Sequence, residues 1–137
     1  MPARAEVVFD AWLDPEALAD FMGPAPTRVG RVECDARVGG ALRIDMVDDD
    51  GVNDAAVVHI TGQYLEIDRP RRLRFTWAST YAGGFESVVT VTFEPRGDDE
   101  TMMTIDHAQV PPQWRDDHER GWGIIAAQLQ RHLSRAA

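Results

Sequence analysis

The hydrophobic period of the chain changes twice, and this change constrains the fold more than any other feature. From Thr27 to about His107, apolar and polar residues alternate, which is typical of strands with one buried face. Both ends of the chain instead space their apolar residues by three and four, as helices with one buried stripe do. The sequence therefore predicts an α+β fold, an antiparallel sheet with helices on one face.

Three helices are predicted around the sheet. The first carries an apolar stripe formed by Ala5, Val8, Phe9, Trp12 and Leu13. The second begins at Asp14-Pro15-Glu16, where an N-cap precedes a proline in the first turn, and it ends before Gly23-Pro24. After Pro111-Pro112 a long amphipathic helix closes the chain, with its stripe at Trp122, Ile125, Ala126, Leu129 and Leu133.

About six strands are predicted between these helices. Polar and glycine-rich turns at 38–40, 48–51, 83–84 and 97–100 separate them. Gly62 lies inside the long apolar stretch 55–67 and indicates a bulge or a bend. In the last strand Met103, Ile105 and His107 alternate with polar residues, so their side chains are expected on the inner face.

Length and charge narrow the possible functions. The 137 residues fit one domain, 1–137, because a chain of this size can bury a real core. A net charge of −9 would repel phosphate backbones, so no nucleic-acid partner is expected. The sequence has no apolar run of about 20 residues and no basic segment followed by an apolar one, which predicts no membrane partner and a cytoplasmic location.

No cofactor or metal is predicted. The four histidines form no tight ligand cluster in the sequence, and Cys34 has no partner cysteine for a disulfide or a zinc site. The sequence also lacks a Gly-x-Ser-x-Gly motif and a glycine-rich phosphate loop. Classical hydrolase, kinase and nicotinamide chemistries are therefore disfavoured.

Seven segments in register resemble the Hsp90 ATPase activator homologue family of the START-like (SRPBCC) superfamily. They are VFDAW at 8–12, DPE at 14–16, DARVGG at 35–40, GQYLEI at 62–67, LRFTW at 73–77, VTVTF at 89–93 and GW at 121–122. The resemblance spans nearly the whole chain. It implies the helix-grip (START/Bet v 1-like) fold, in which a curved antiparallel sheet wraps around a long C-terminal helix.

One departure from the family pattern concerns the start of the chain. The family has a strand before the first helix, whereas here Met1-Pro2 stands directly at that helix, so this first strand is expected to be missing. Its absence would leave the strand that spans 102–109 as an edge with unpaired backbone groups. Strand addition across a homodimer is the hypothesis that follows, and a monomer at micromolar concentration by light scattering would count against it.

Ligand-binding residues are predicted on the inner faces of the sheet and the last helix, because a pocket needs apolar walls and a few polar groups. The candidates are Met46, Tyr64, Phe75, Trp77, Met103, His107, Trp122, Ile125 and Leu129. For the apolar members, plain core packing is the competing interpretation. The helix-grip architecture, implied by resemblance, favours a cavity beneath the long helix.

Several of these positions keep alternative roles. His107 lies at a position where the alternation predicts an apolar residue. Three roles are open for it: a hydrogen-bonded core histidine, a group that orients a ligand, or a general acid or base. Tyr64 and Tyr81 each offer a hydroxyl to a ligand. Gly121 and Gly123 flank Trp122 in the helix, where each glycine lowers stability relative to alanine. Two explanations are open: close packing of the helix on the sheet, or room for a ligand beside the indole.

Three functions are weighed. The first is binding of a small hydrophobic or aromatic molecule, for sequestration, sensing or a stress response, with the ligand class implied by the resemblance. The second is a cavity enzyme of the cyclase, dehydratase or hydrolase kind, as in related helix-grip proteins. The third is regulation of the Hsp90 ATPase, as the family name suggests. A binding protein that is not an enzyme is favoured.

Overall fold

The computed structural model describes residues 1–23, 27–48, 57–80 and 85–136. In chain order the elements are α1 (Ala5–Ala11), α2 (Pro15–Phe21), β1 (Thr27–Cys34), β2 (Ala41–Asp48), β3 (Val57–Asp68), β4 (Arg72–Ser79), β5 (Glu86–Arg96), β6 (Glu100–Ala108) and α3 (Pro112–Ala136). The six strands form one antiparallel sheet in the order β1-β2-β3-β4-β5-β6. The predicted fold class, with two short helices, a meandering sheet and a long C-terminal helix, is confirmed.

The start of α2 follows from local sequence. Asp14 accepts a hydrogen bond from the backbone N–H of Glu16 at 3.0 Å, and Pro15 occupies the first turn, where a missing N–H costs nothing. The end of α2 depends on a distant residue. The buried side-chain amide of Gln128, on α3, donates to the carbonyl oxygens of Phe21 at 2.9 Å and Gly23 at 2.8 Å. These bonds tie α3 to α2.

Gly62 marks a close approach between neighbouring strands. A Cβ atom at this position would lie 2.1 Å from the backbone oxygen of Thr76, so no side chain fits there. The β-bulge of β3 lies slightly further along the chain, between Tyr64 and Glu66. The glycine and the irregularity that the sequence associates with it are therefore separate features.

The inner face of the sheet is filled by aromatic side chains from the helices. The Trp12 ring lies 5.4 Å from Phe21, 6.3 Å from Phe75 and 6.1 Å from Trp122, as measured between centroids. Trp12, Phe21 and Phe75 are fully or almost fully buried.

No described helix is long and apolar enough to cross a membrane. The predicted turns at 48–51 and 83–84, and Tyr81, lie wholly or partly outside the described residues.

Candidate functional site: a groove between the last strand and the C-terminal helix

A groove of about 500 Å³ lies between β6 and α3, and we refer to it as the β6–α3 groove. It is lined by Met1, Met103, Ile105, His107, Val110, Arg115, His118, Glu119, Trp122, Gly123 and Ala126. Strand alternation explains the β6 contribution, because residues two apart project to the same face. Helical spacing explains the α3 contribution, since residues three and four apart share one face.

The walls of the groove are apolar and its rim is polar. Val110 and Trp122 are buried, and Met103 and Ile105 are half-buried. Arg115 and Glu119, in contrast, are exposed at the rim. Such a combination of apolar walls with a few polar groups is typical of sites that hold small organic molecules.

His107 is held between two side chains and has its hydrogen-bonding capacity filled. The indole N–H of Trp122 donates to Nδ1 of His107 at 2.9 Å, so Nδ1 carries a lone pair and Nε2 carries the proton. Nε2 then donates to Oγ of Ser87 at 2.6 Å, and this hydroxyl donates to the carbonyl oxygen of Trp77 at 2.9 Å. The imidazole is therefore fixed as one neutral tautomer, and neither nitrogen is free to move a proton for a substrate.

Burial keeps His107 neutral. Removal from water, with a smaller contribution from the neighbouring His118, lowers the pKa of His107 from 6.5 to about 4. The two rings lie 5.0 Å apart between centroids in an edge-to-face arrangement. A positive charge on His107 is disfavoured at this place, which agrees with the single neutral tautomer that the hydrogen bonds require.

This pKa predicts acid sensitivity between pH 6.5 and about pH 4. In that window the unfolded state binds a proton at position 107 and the folded state does not, so stability is complete above pH 6.5 and falls as the pH drops. The expected loss is about 1–2 kcal/mol, below the full value of about 3 kcal/mol because the ring is half-buried and solvent screens it.

Urea unfolding of the wild type and of His107→Gln at a series of pH values measures this contribution as a difference between the two proteins. The comparison isolates position 107, because the two proteins differ only there. Side-chain hydrogen bonds, from Arg69, His132 and His59 respectively, hold the pKa values of Asp10, Asp20 and Asp45 below 3.8, so these carboxyl groups titrate below the window. Parallel stability curves for the two proteins would contradict the prediction.

His118 is the second imidazole at the groove. Its Nδ1 donates to the backbone oxygen of Trp114 one helical turn earlier, at 2.8 Å. Within the described residues, the structure assigns no hydrogen bond to its Nε2. This nitrogen is therefore available to accept a hydrogen bond from a bound molecule, whereas His107 is not.

The predicted ligand-binding residues divide into two groups in the structure. Met103, His107 and Trp122 line the β6–α3 groove. The other six are buried in the core around it: Met46, Tyr64, Phe75, Trp77, Ile125 and Leu129. Trp77 stands directly behind the groove, with its ring 5.0 Å from that of Trp122.

Tyr64 is joined to Cys34 beneath the sheet, away from the groove. Its hydroxyl lies 2.9 Å from Sγ of Cys34, and Sγ lies 3.5 Å from the backbone oxygen of Leu13. Burial raises the pKa of the Tyr64 hydroxyl far above its usual range and also raises that of the Cys34 thiol. Both groups stay protonated and neutral, as part of the core.

Among the described residues, no three His, Cys, Asp or Glu side chains meet as a metal site requires.

Sequence reasoning missed much of the α3 side of the groove. Arg115, His118 and Glu119 lie beside the apolar stripe and not on it, so hydrophobic periodicity gives no signal for them. The spacing of His118, Trp122 and Ala126 by four is the signal that could have placed His118 on the face of Trp122. Gly121 and Gly123 have open space beside them in the described structure, so close packing does not explain either glycine.

The sequence model of one family, described as Activator of Hsp90 ATPase homolog 1-like protein (AHSA1), matches residues 2–134. The chain belongs to this family. Protein CV1439 from Chromobacterium violaceum is similar at 27% identity, over 94% of this chain and 88% of that one, with a TM-score of 0.82. No curated protein matches the sequence.

Two further solved structures share the AHSA1 fold. The AHSA1 (SPO3351) protein from Silicibacter pomeroyi has 24% identity and a TM-score of 0.84, over 100% of this chain and 94% of that one. Protein Ms6760 from Mycobacterium smegmatis has 19% identity and a TM-score of 0.81, over 100% of this chain and 88% of that one. The predicted family and fold are thus confirmed.

Proposed function

We propose that the protein binds a small apolar or aromatic molecule in the β6–α3 groove. The observation that carries this proposal is the groove itself, about 500 Å³ of space with apolar walls beside a core that is otherwise filled by aromatic rings. A ligand that covers Met103, Ile105 and Trp122 removes apolar surface from water, and this is worth about 25 cal/mol per Å². Nε2 of His118 has no hydrogen-bond partner among the described residues, and it can orient a polar end of the ligand together with the guanidinium of Arg115, whose Nε donates to the Val110 oxygen.

Binding without chemical change is the better-supported form of this proposal. Both nitrogens of His107 are occupied by protein groups, so the residue that the sequence offers for acid–base chemistry orients Trp122 instead. The cavity-enzyme and Hsp90-regulator alternatives stay hypotheses, tested by turnover of a bound compound and by chaperone ATPase assays. The homodimer and the cytoplasmic location also stay predictions of the sequence.

A pair of glycine variants tests the site. Gly123 lines the groove and Gly121 does not, while both have open space beside them in the described structure and lie on the same helix. Gly123→Leu is expected to place a side chain in the groove and weaken binding of the aromatic, anionic dye 1-anilinonaphthalene-8-sulfonate at least about tenfold, or about 1.4 kcal/mol. Gly121→Leu is the matched control and is expected to bind the dye as the wild type does.

Fluorescence of Trp122 and Trp77 reports the titration, because both indoles lie at or directly behind the groove. Both variants replace a helical glycine, so each is expected to fold at least as stably as the wild type. Equal dye affinity in the two variants would refute the groove as the binding site. Native mass spectrometry of freshly purified protein is the complementary measurement for a copurifying small molecule.

A further inference from the structure

The β6–α3 groove has a polar end, where β6 leads into α3. Two side chains of the groove are held there by backbone oxygens. Nδ1 of His118 donates to the Trp114 oxygen at 2.8 Å, and Nε of Arg115 donates to the Val110 oxygen at 3.2 Å. Positions 115 and 118 are three apart on α3, so the two side chains share one face of the helix. Both are therefore oriented before any ligand arrives.

The two anchored side chains have opposite hydrogen-bonding character. In the uncharged ring of His118, the proton on Nδ1 leaves a lone pair on Nε2, so Nε2 is an acceptor. The guanidinium of Arg115 only donates, and its terminal nitrogens have no hydrogen-bond partner among the described residues. A ligand group that satisfies both must donate one hydrogen bond and accept another.

A hydroxyl group meets this requirement with a single polar atom, because it donates through its proton and accepts through its oxygen. A carboxylate or an ether only accepts, so it could pair with Arg115 but would direct a second lone pair at Nε2 of His118. A carboxamide does both, but it carries two polar atoms into a groove with apolar walls, which costs more free energy.

The polar end is bordered by rings. The His118 ring lies edge-to-face against that of His107 at 5.0 Å and lies 6.0 Å from that of Phe85, as measured between centroids. The Trp122 ring is 5.8 Å from that of His107. A flat ligand ring packs against such a cluster in the edge-to-face or offset arrangements that aromatic pairs prefer. The ring that carries the hydroxyl is therefore expected to be aromatic.

We propose that the ligand is a phenol, a hydroxylated aromatic molecule, and that His118 selects it. The hydroxyl donates to Nε2 of His118 and accepts from Arg115, while the ring lies along the apolar walls beside Trp122. A space of about 500 Å³ is ample for one or two fused rings. This inference rests on the proposed function, because it names the class of ligand for the same groove.

Two probes that share one ring system test the role of the hydroxyl. Methylating 2-naphthol to 2-methoxynaphthalene keeps the oxygen and the rings but removes the donor. Isothermal titration calorimetry at about pH 8, where imidazoles are generally neutral and phenols keep their proton, is expected to give about five- to tenfold tighter binding of 2-naphthol. The ether is the more apolar of the two, so the hydrophobic effect alone would favour it.

A variant of His118 tests which residue accepts the proton. His118→Phe keeps a ring beside Phe85 and His107 but has no nitrogen, so the two probes are expected to bind within about twofold of each other. His132→Phe is the matched control. His132 lies on the same helix, outside the groove, with its Nδ1 bound to Asp20, so the preference for 2-naphthol is expected to stay as in the wild type.

NMR of the imidazole nitrogens gives a direct measurement, since Nε2 of His118 is expected to shift with 2-naphthol and much less with the ether. Equal affinities of the two probes in the wild type, or a preference that persists in His118→Phe, would overturn the inference and leave the groove as an apolar site. Tighter binding of 2-naphthoate than of 2-naphthol would also overturn it and make Arg115 the selecting residue. Equal dye affinity in the Gly121 and Gly123 variants would refute the proposed function and this inference together.

Discussion

Gly62→Ala is expected to destabilise the protein by about 3 kcal/mol or more, enough to unfold much of a small domain. The new Cβ would lie 2.1 Å from the oxygen of Thr76 and 3.1 Å from its carbonyl carbon, and both are backbone atoms of the neighbouring strand. Gly62 also pairs with Leu42 on the other side, so β3 is held between β2 and β4 and cannot shift to relieve the contact.

Urea unfolding followed by far-ultraviolet circular dichroism measures this effect. Gly123→Ala is the matched control, because the same change meets nothing within 4 Å there and removes a glycine from a helix. The control is expected to gain up to about 1 kcal/mol. An unfolding midpoint for Gly62→Ala equal to that of the wild type would show that β3 and β4 are not as close as the structure has them.

Trp122→Ala is expected to cost about 3–5 kcal/mol, because it removes a large buried ring and leaves a cavity. The indole is 8% exposed and its ring lies 5.0 Å from that of Trp77 and 6.1 Å from that of Trp12. It also supplies the hydrogen bond to Nδ1 of His107. The loss therefore combines packing with an unsatisfied acceptor on a half-buried histidine.

Trp122→Phe separates these two contributions. Phenylalanine keeps much of the ring contact but cannot donate to Nδ1, so the expected cost is about 1–3 kcal/mol. With Nδ1 free to take a proton, the pKa of His107 is expected to rise above about 4, and NMR titration of the imidazole protons measures it. A pKa that stays the same in Trp122→Phe would mean that the indole does not set the tautomer of His107.

Much of the fold could be predicted because its signals are local. Alternation in β6 placed Met103, Ile105 and His107 on one face, and the groove is lined by all three. The N-cap Asp14 and the proline after it began a helix where expected, since both act within one turn. Each of these features depends on a few neighbouring residues.

The location of the groove could not be predicted in this way. The space expected between the sheet and α3 is occupied by Trp12, the C-cap residue of α1, and by Phe21 of α2, and both reach this place only in the folded chain. Periodicity indicates that Phe75 or Trp77 faces inward but carries no information about what packs against it. The open space instead lies at the side of α3, next to His118.

The sequence by itself determined the order of helices and strands, the inward face of each and the family. The tertiary structure alone decided that His107 is bound on both nitrogens, that Gln128 holds the end of α2, and that the empty space borders β6. The physical reason is the range of the interactions. Burial patterns and caps arise from residues within a turn or a strand, whereas a cavity is what remains after side chains distant in sequence have packed.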